Sequence, residues 1–235
     1  MHGVSMRDHS SMSGLRVHCG ESRLAHGWRL AAASGVAKDL VAEFIQPAVR
    51  AIPGALAARL RPCCVRLPAR LKTPSHASQW VETASRLEIT VACEGVEAHD
   101  VALELLVCVG QALWEALGPS ERATYLLVLC EEIVACVTGE IDEDALEEKR
   151  RLMGGRSAAR SRRRLEEYAR ASFASTAAEY VHCLWHDVTV RTGPDHLPPR
   201  HLRRRLQLLR RWFPPNRGYQ LFAEGGAGRA SSPAQ

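Results

Sequence analysis

The chain has 235 residues, of which 46% are hydrophobic and 24% charged, the balance of a globular protein with room for one substantial core or two small ones. No window reaches the roughly 18 uninterrupted apolar residues of a membrane span, and no basic, apolar and small-residue leader begins the sequence, so we expect a cytoplasmic protein. Small, polar and aperiodic segments predict tails at 1–25 and 223–235 around a single domain at 26–222.

The net charge of +5 conceals two segments of opposite charge. Residues 88–150 carry 15 acidic and 3 basic side chains, whereas residues 151–217 carry 15 arginines and 5 acids. These segments should attract each other, which suggests a non-enzymatic interaction module that binds another protein or a second copy of itself. A nucleic-acid accessory role is the third and weakest hypothesis, and we expect no nucleic-acid partner. Arginine outnumbers lysine 28 to 3, a skew that a GC-rich genome also produces, and no helix-turn-helix, RRM or KH motif is present.

The eight cysteines are scattered, and none forms a C-x-x-C pair. Their positions within apolar runs favour small buried thiols over the ligands of a zinc ribbon.

In chain order, periodicity first predicts a helix or helix pair over 36–60, interrupted by Pro47 and Pro53. A short strand follows at 63–67. Ser78 is then expected to cap a short turn around Trp80, and alternating apolar residues predict a half-buried strand at 86–93.

Helical periodicity governs the rest of the chain. We expect a buried core helix at 99–117, a helix at 121–137 capped by Ser120, an exposed charged helix at 142–153, a long helix at 157–187 and a basic helix at 201–212. The inner face of the helix at 121–137 is expected to consist of Tyr125, Leu126, Leu129, Ile133 and Val134. The predicted fold class is α+β, mainly helical.

The strand RLEITVAC at 86–93 leads through a short turn into the buried helix VEAHDVALELLVCVGQALW at 96–114. Downstream, the long helix carries YARASFASTAAEYV at 168–181, followed by an LPP turn and a terminal helix ending in FPP. This arrangement resembles the zincin class of zinc metallopeptidases, in which HExxH on the first helix supplies two histidine ligands and a later helix supplies the third ligand.

The resemblance implies His99 as first ligand, Asp100 in the place of the general base and Glu179 as third ligand. Leu103 stands where the second histidine of HExxH belongs and cannot bind zinc. The resemblance therefore implies a zincin-like scaffold, a short sheet packed on a buried core helix, that carries a degenerate and inactive peptidase with residual metal binding. Zinc is the candidate cofactor.

Helical spacing adds a second arrangement of candidate ligands. Asp100, Glu104 and Gln111 fall within about 40° on one helix, and Glu179, His182 and His186 lie on one face of the long helix. Opposed, these faces would give a metal site from His99, Glu104, Glu179, His182 and His186. The alternatives remain open: the first set could be the wet side of a buried helix, and the histidines could serve packing or lie at the surface.

Overall fold

The computed structural model describes residues 21–71, 77–154, 158–186 and 193–222. It is 57% helical with a mixed five-stranded sheet, which confirms the α+β, mainly helical class. The predicted tails lie outside the described residues except for 21–25, which form a short strand and the start of a 3₁₀ turn at Ala25–Gly27. The segment PSHAS at 74–78 is typical of a loop, and its residues 74–76 also lie outside the described residues.

The sheet has the strand order β1-β2-β3-β5-β4. Its central strands β2, β3 and β5 run parallel, and β1 and β4 are antiparallel edges. Leu30, Val65 and Ile89 lie side by side across the three central strands, and all three are buried. The strands are β1 Glu21–Arg23, β2 Arg29–Ala32, β3 Cys63–Leu67, β4 Ser78–Glu82 and β5 Leu87–Val91.

The sequence correctly predicts β3 and β5, in which buried side chains alternate with half-buried or exposed ones. The turn predicted around Trp80 is wrong, because Ser78–Glu82 is strand β4, with Trp80 opposite Ile89. Ser78 does not cap a helix there; its hydroxyl donates to the Glu104 carboxylate at 2.7 Å. Strands β1 and β2 were not predicted.

A π-helical turn, Leu40–Ile45, continues directly into α1, Gln46–Ala51, and α2 follows at Gly54–Ala57. The predicted helix pair is therefore confirmed. Pro53 separates α1 from α2 as predicted, whereas Pro47 does not interrupt the helix, because the backbone stays helical from the π-helical turn into α1.

All five helices predicted after β5 are present. They are α3 Ala98–Ala116, α4 Pro119–Val134, α5 Glu143–Met153, α6 Ala158–Trp185 and α7 Pro199–Trp212. Taken singly, none of the described helices has both the length and the apolarity to cross a membrane; α3 and α4 meet the criterion only as a pair, bent by 118°.

Three local expectations are corrected. Helix α4 begins after Gly118, whose N–H donates to the Glu121 carboxylate at 2.8 Å, so Ser120 is not its cap. Its inner face includes Tyr125 and Leu129 as expected, but Val134 is 83% exposed and Glu132 is fully buried in its place. Helix α5 is not wholly exposed, since Lys149 on it is buried.

Seven cysteines lie within the described residues, and all are free. Cys63 and Cys108 are buried as expected, whereas Cys136 is exposed.

Helices α3 and α6 pack closely at Gly110. A Cβ atom at this position would lie 2.6 Å from the carbonyl oxygen of Ala174, so only glycine permits the approach. Because α3 also packs on β4 and β5, the contact fixes α6 relative to the sheet.

A buried ionic network joins α4 and α7 to α6. The guanidinium of Arg205 donates to the Glu132 carboxylate, and it donates to Glu140 at 2.8 and 2.9 Å. All three side chains are buried. Lys149 and the Tyr168 hydroxyl also donate to Glu140. Burial raises the pKa of Glu140, but Arg205 and these donors outweigh it and hold the pKa below its usual value.

The network shows how the oppositely charged segments are used. Arg170 and Arg204 also pair with acids of the other segment, Glu115 and Glu131. Part of the arginine surplus is therefore neutralised inside the chain. The charge pattern predicts that Glu147, Glu148 or the acidic turn at 142–144 approaches arginines of the long helix. Glu147 and Glu148 instead pair with Arg151 of their own helix.

Candidate metal centre

The candidate site lies where the first turn of α3 meets the last turns of α6. His99 is the second residue of α3, and His182 lies in the last turn of α6. His186 follows directly after the last residue of α6, and its N–H still donates to the His182 carbonyl. Side chains four residues apart share a helical face. Antiparallel packing through Gly110 and Ala174 then brings that face against the beginning of α3.

The three imidazoles form a compact group whose candidate ligand nitrogens all lie within 4.8 Å of one another. The Nε2 atoms of His99 and His182 are 2.9 Å apart, and the ring centroids of His99 and His186 are 5.4 Å apart. Three nitrogens bound tetrahedrally to one zinc ion at about 2.0–2.1 Å would be about 3.3 Å apart. Ring rotations that move the nitrogens by about 1 Å would therefore give zinc geometry.

A single proton joins the Nε2 atoms of His99 and His182 in a hydrogen bond. One of the two Nε2 atoms must carry a proton for a hydrogen bond to form, because two neutral lone pairs repel each other. A cation between the rings would accept both lone pairs at once, which is the chemistry that three converging imidazoles offer to zinc and other late transition metals.

Glu179 lies behind His182 rather than beside the ligand nitrogens. Its Oε2 is 3.6 Å from His182 Nδ1, a buried nitrogen that lacks a hydrogen-bond partner among the described residues. A histidine that binds a metal through one nitrogen commonly donates the other N–H to a carboxylate, which fixes the ring and strengthens the ligand. The position of Glu179 behind His182 fits this supporting role, and its assignment as the third ligand stays a prediction.

Asp100 has a similar relation to His99. Its Oδ1 lies 3.6 Å from His99 Nδ1, on the edge of the ring opposite the nitrogen that faces His182, and the side chain is 59% exposed. The Asp100 carboxylate thus approaches the back of a candidate ligand, and the assignment of Asp100 as the general base stays a prediction. Asp100 and Glu179 together would balance the two charges of a zinc ion held by neutral imidazoles.

Glu104 is not a member of the three-histidine group. It lies five residues beyond His99, so it points about 140° away around α3 and about 7.5 Å further along the helix. It accepts the hydrogen bond from Ser78 at the edge of the sheet instead.

Aromatic side chains form one wall of the site. The Trp185 ring is 5.3 Å from His186 and 5.8 Å from His182, and Phe44 packs edge-on against it. Phe44 comes from the π-helical turn, and sequence reasoning missed it because no local pattern links residue 44 to residue 185. Nearby, burial raises the pKa of Cys183 to about 12, with Glu179 adding to the rise, so this thiol stays protonated.

Comparison of the chain with protein-family models, with curated proteins and with solved structures found no match to any of them.

Proposed function

We propose that this chain is a zinc-binding protein on a zincin-like scaffold, with His99, His182 and His186 as the protein ligands and without peptidase activity. The observation that carries the proposal is the convergence of three imidazoles, from two helices that a glycine contact holds together.

The order of elements supports the scaffold part of the proposal. The strand, buried helix and long helix on which the resemblance depends are β5, α3 and α6. Helix α3 packs on β5 and on the antiparallel edge strand β4, and α6 packs across α3. The ligand arrangement departs from the family, because α6 supplies two histidines and α3 only one.

The surroundings of the site decide what it can do. Zinc, when bound, would supply a Lewis acid and a water of lowered pKa at its fourth position. Peptide hydrolysis also needs a base beside that water, and both carboxylates next to the histidines approach Nδ1 atoms behind the ring edges that converge. In this proposal the two carboxylates would support the ligands rather than act as the base of the family mechanism.

Metal analysis tests the proposal. Protein stripped with a chelator and reloaded with zinc should retain one equivalent after desalting, and His99→Ala and His186→Ala should each lose it. His26→Asn is the matched control, because His26 is an exposed histidine outside the site whose left-handed backbone asparagine tolerates. Equal retention in all four proteins, or none in the wild type, would refute the site.

The second part of the proposal has its own assay. The zinc-loaded protein should not hydrolyse a generic casein substrate. Chelator-sensitive hydrolysis that Glu179→Ala abolishes would contradict the assignment of an inactive peptidase.

A further inference from the structure

Helix α7 presents a row of arginines to solvent on the face opposite its packing surface. The exposed positions lie three, four, seven, ten and eleven residues after Arg200. This spacing places them on one continuous stripe along the helix. The residues of this basic stripe are Arg200, Arg203, Arg204, Gln207, Arg210 and Arg211. The sequence of α7, PRHLRRRLQLLRRW, includes no acidic residue.

Most of the basic stripe has no counter-charge within the part of the chain that the structure describes. Arg204 pairs with Glu131, and Arg205 points inward to the buried network. For the other four arginines of the stripe, the ion pairs among the described residues include no carboxylate partner. Four uncompensated guanidinium groups along about 16 Å of helix create a positive potential that attracts a polyanion.

Aromatic rings lie beside the basic stripe, at one end of α7. A cavity of about 150 Å³ is formed there by Arg210, Pro215, Tyr219, Gln220, Leu221 and Phe222. The guanidinium of Arg203 lies over the Phe222 ring, 4.9 Å from its centroid. A cavity of this size accepts one aromatic ring.

We propose that the basic stripe and this cavity bind single-stranded nucleic acid, with phosphates on the arginines and one base against Tyr219 and Phe222. Proteins that bind single strands combine a basic track for the backbone with aromatic platforms for bases. An acidic peptide would use the stripe but leave the aromatic cavity empty. A membrane surface is disfavoured because the apolar face of α7 is buried in the core, including Leu206 and Leu209, and cannot insert.

The arrangement of the arginines on α7 supports binding more strongly than their number does. A GC-rich genome explains many arginines, but it does not by itself explain why those of one helix share one exposed face beside two aromatic rings. The inference does not depend on zinc, so the apo protein should bind equally well.

The test is fluorescence anisotropy with a labelled 20-nucleotide single strand at several salt concentrations. Replacing Arg200, Arg203 and Arg211 by glutamine should weaken binding at least tenfold at low salt. It should also reduce the slope of log K against log salt by about 2, since each single-strand phosphate contact contributes about 0.7. The control carries glutamine at Arg23, Arg61 and Arg86, three exposed arginines on the sheet side of the chain, and should bind like the wild type.

A second pair of variants tests the aromatic cavity. Tyr219→Ala should weaken single-strand binding about fivefold or more, whereas Tyr219→Phe, which keeps the ring, should leave the affinity unchanged. An unchanged affinity in Tyr219→Ala would overturn the proposal. So would equal losses in the two arginine triple variants, or binding of a poly-glutamate peptide or of anionic phospholipid vesicles as tight as that of the single strand.

Discussion

The Nε2 atoms of His99 and His182 face each other at 2.9 Å across the junction of α3 and α6. The residues are 83 positions apart, so the contact depends on helix packing rather than on local sequence. His186, one turn beyond His182, completes the group. Replacing Glu179, the carboxylate behind His182, should have a different effect from replacing Gly110, which lies between the helices.

Replacing Glu179 by glutamine should weaken zinc binding by about 10- to 100-fold while the fold is retained. The carboxylate is placed to accept the His182 Nδ1–H, and loss of such a partner leaves the ligand less basic and less well oriented. Competition titration against a chromogenic chelator measures the affinity. Glu167→Gln is the control, because Glu167 lies on the same helix but pairs with Arg163 at the surface. Equal affinities in the two variants would exclude the supporting role.

Replacing Gly110 by alanine should lower the free energy of unfolding by about 2 kcal/mol or more, because the added methyl group meets the Ala174 backbone at 2.6 Å and the helices must move apart. Chemical denaturation measures this change. Gly54→Ala is the control, since its Cβ would meet only a side-chain atom of Asn216 at 3.5 Å, an ordinary contact. If Gly110→Ala is as stable as the control, α3 and α6 are not held as closely as described.

The sequence predicts much of the fold and about half of the candidate metal site. Strands β3 and β5 are recognisable because one side of each is buried, which leaves an alternating pattern. Strand β4 is an exposed edge without that alternation, so the serine at its start resembled a helix cap. The spacing of His182 and His186 predicts that they share a face. Nothing local shows which residue of α3 that face meets, so the sequence predicts both His99 and Glu104.

The wrong prediction that Val134, and not Glu132, lies on the inner face of α4 also arises because local sequence does not show long-range contacts. Amphipathic periodicity favours Val134 for the inner face of α4, and a buried carboxylate is costly unless it is paired. The partner, Arg205, lies 73 residues away, so only the folded chain shows that the charge is compensated.

Replacing Arg205 by methionine should lower the free energy of unfolding by about 3–5 kcal/mol, because it leaves Glu132 and Glu140 buried without their guanidinium partner. Arg204→Met is a control from the adjacent position: its pair with Glu131 is about half exposed and should contribute about 0–1 kcal/mol. Thermal denaturation of the two variants distinguishes them. A loss of the same size in both would mean that the buried network does not hold α7 in place.

Replacing Asp142 by asparagine should increase stability at neutral pH. Burial raises the pKa of Asp142 to about 6; the hydrogen bond from the Ala145 N–H lowers it, and Asp144 and other carboxylates add to the rise. A carboxyl whose pKa is higher in the folded state favours folding when protonated. Its contribution is therefore present below about pH 4, the value for the unfolded chain, and is lost as the pH rises to about 6.

Asparagine caps a helix about as well as aspartate and does not ionise. The stability of Asp142→Asn relative to the wild type should therefore increase by on the order of 2 kcal/mol between pH 4 and pH 7.5. Urea denaturation at the two pH values measures the difference. A constant difference would show that the Asp142 carboxyl is not perturbed by its surroundings.

The central claim is that His99, His182 and His186 hold one zinc ion, and X-ray absorption spectroscopy of the zinc-loaded protein tests it most directly. We predict three imidazole ligands and one oxygen at about 2.0–2.1 Å, with one imidazole lost in His186→Ala. A shell containing sulfur at about 2.3 Å would assign the metal to cysteines, and a wild-type spectrum that His186→Ala leaves unchanged would place the zinc elsewhere. Either result would contradict the three-histidine site.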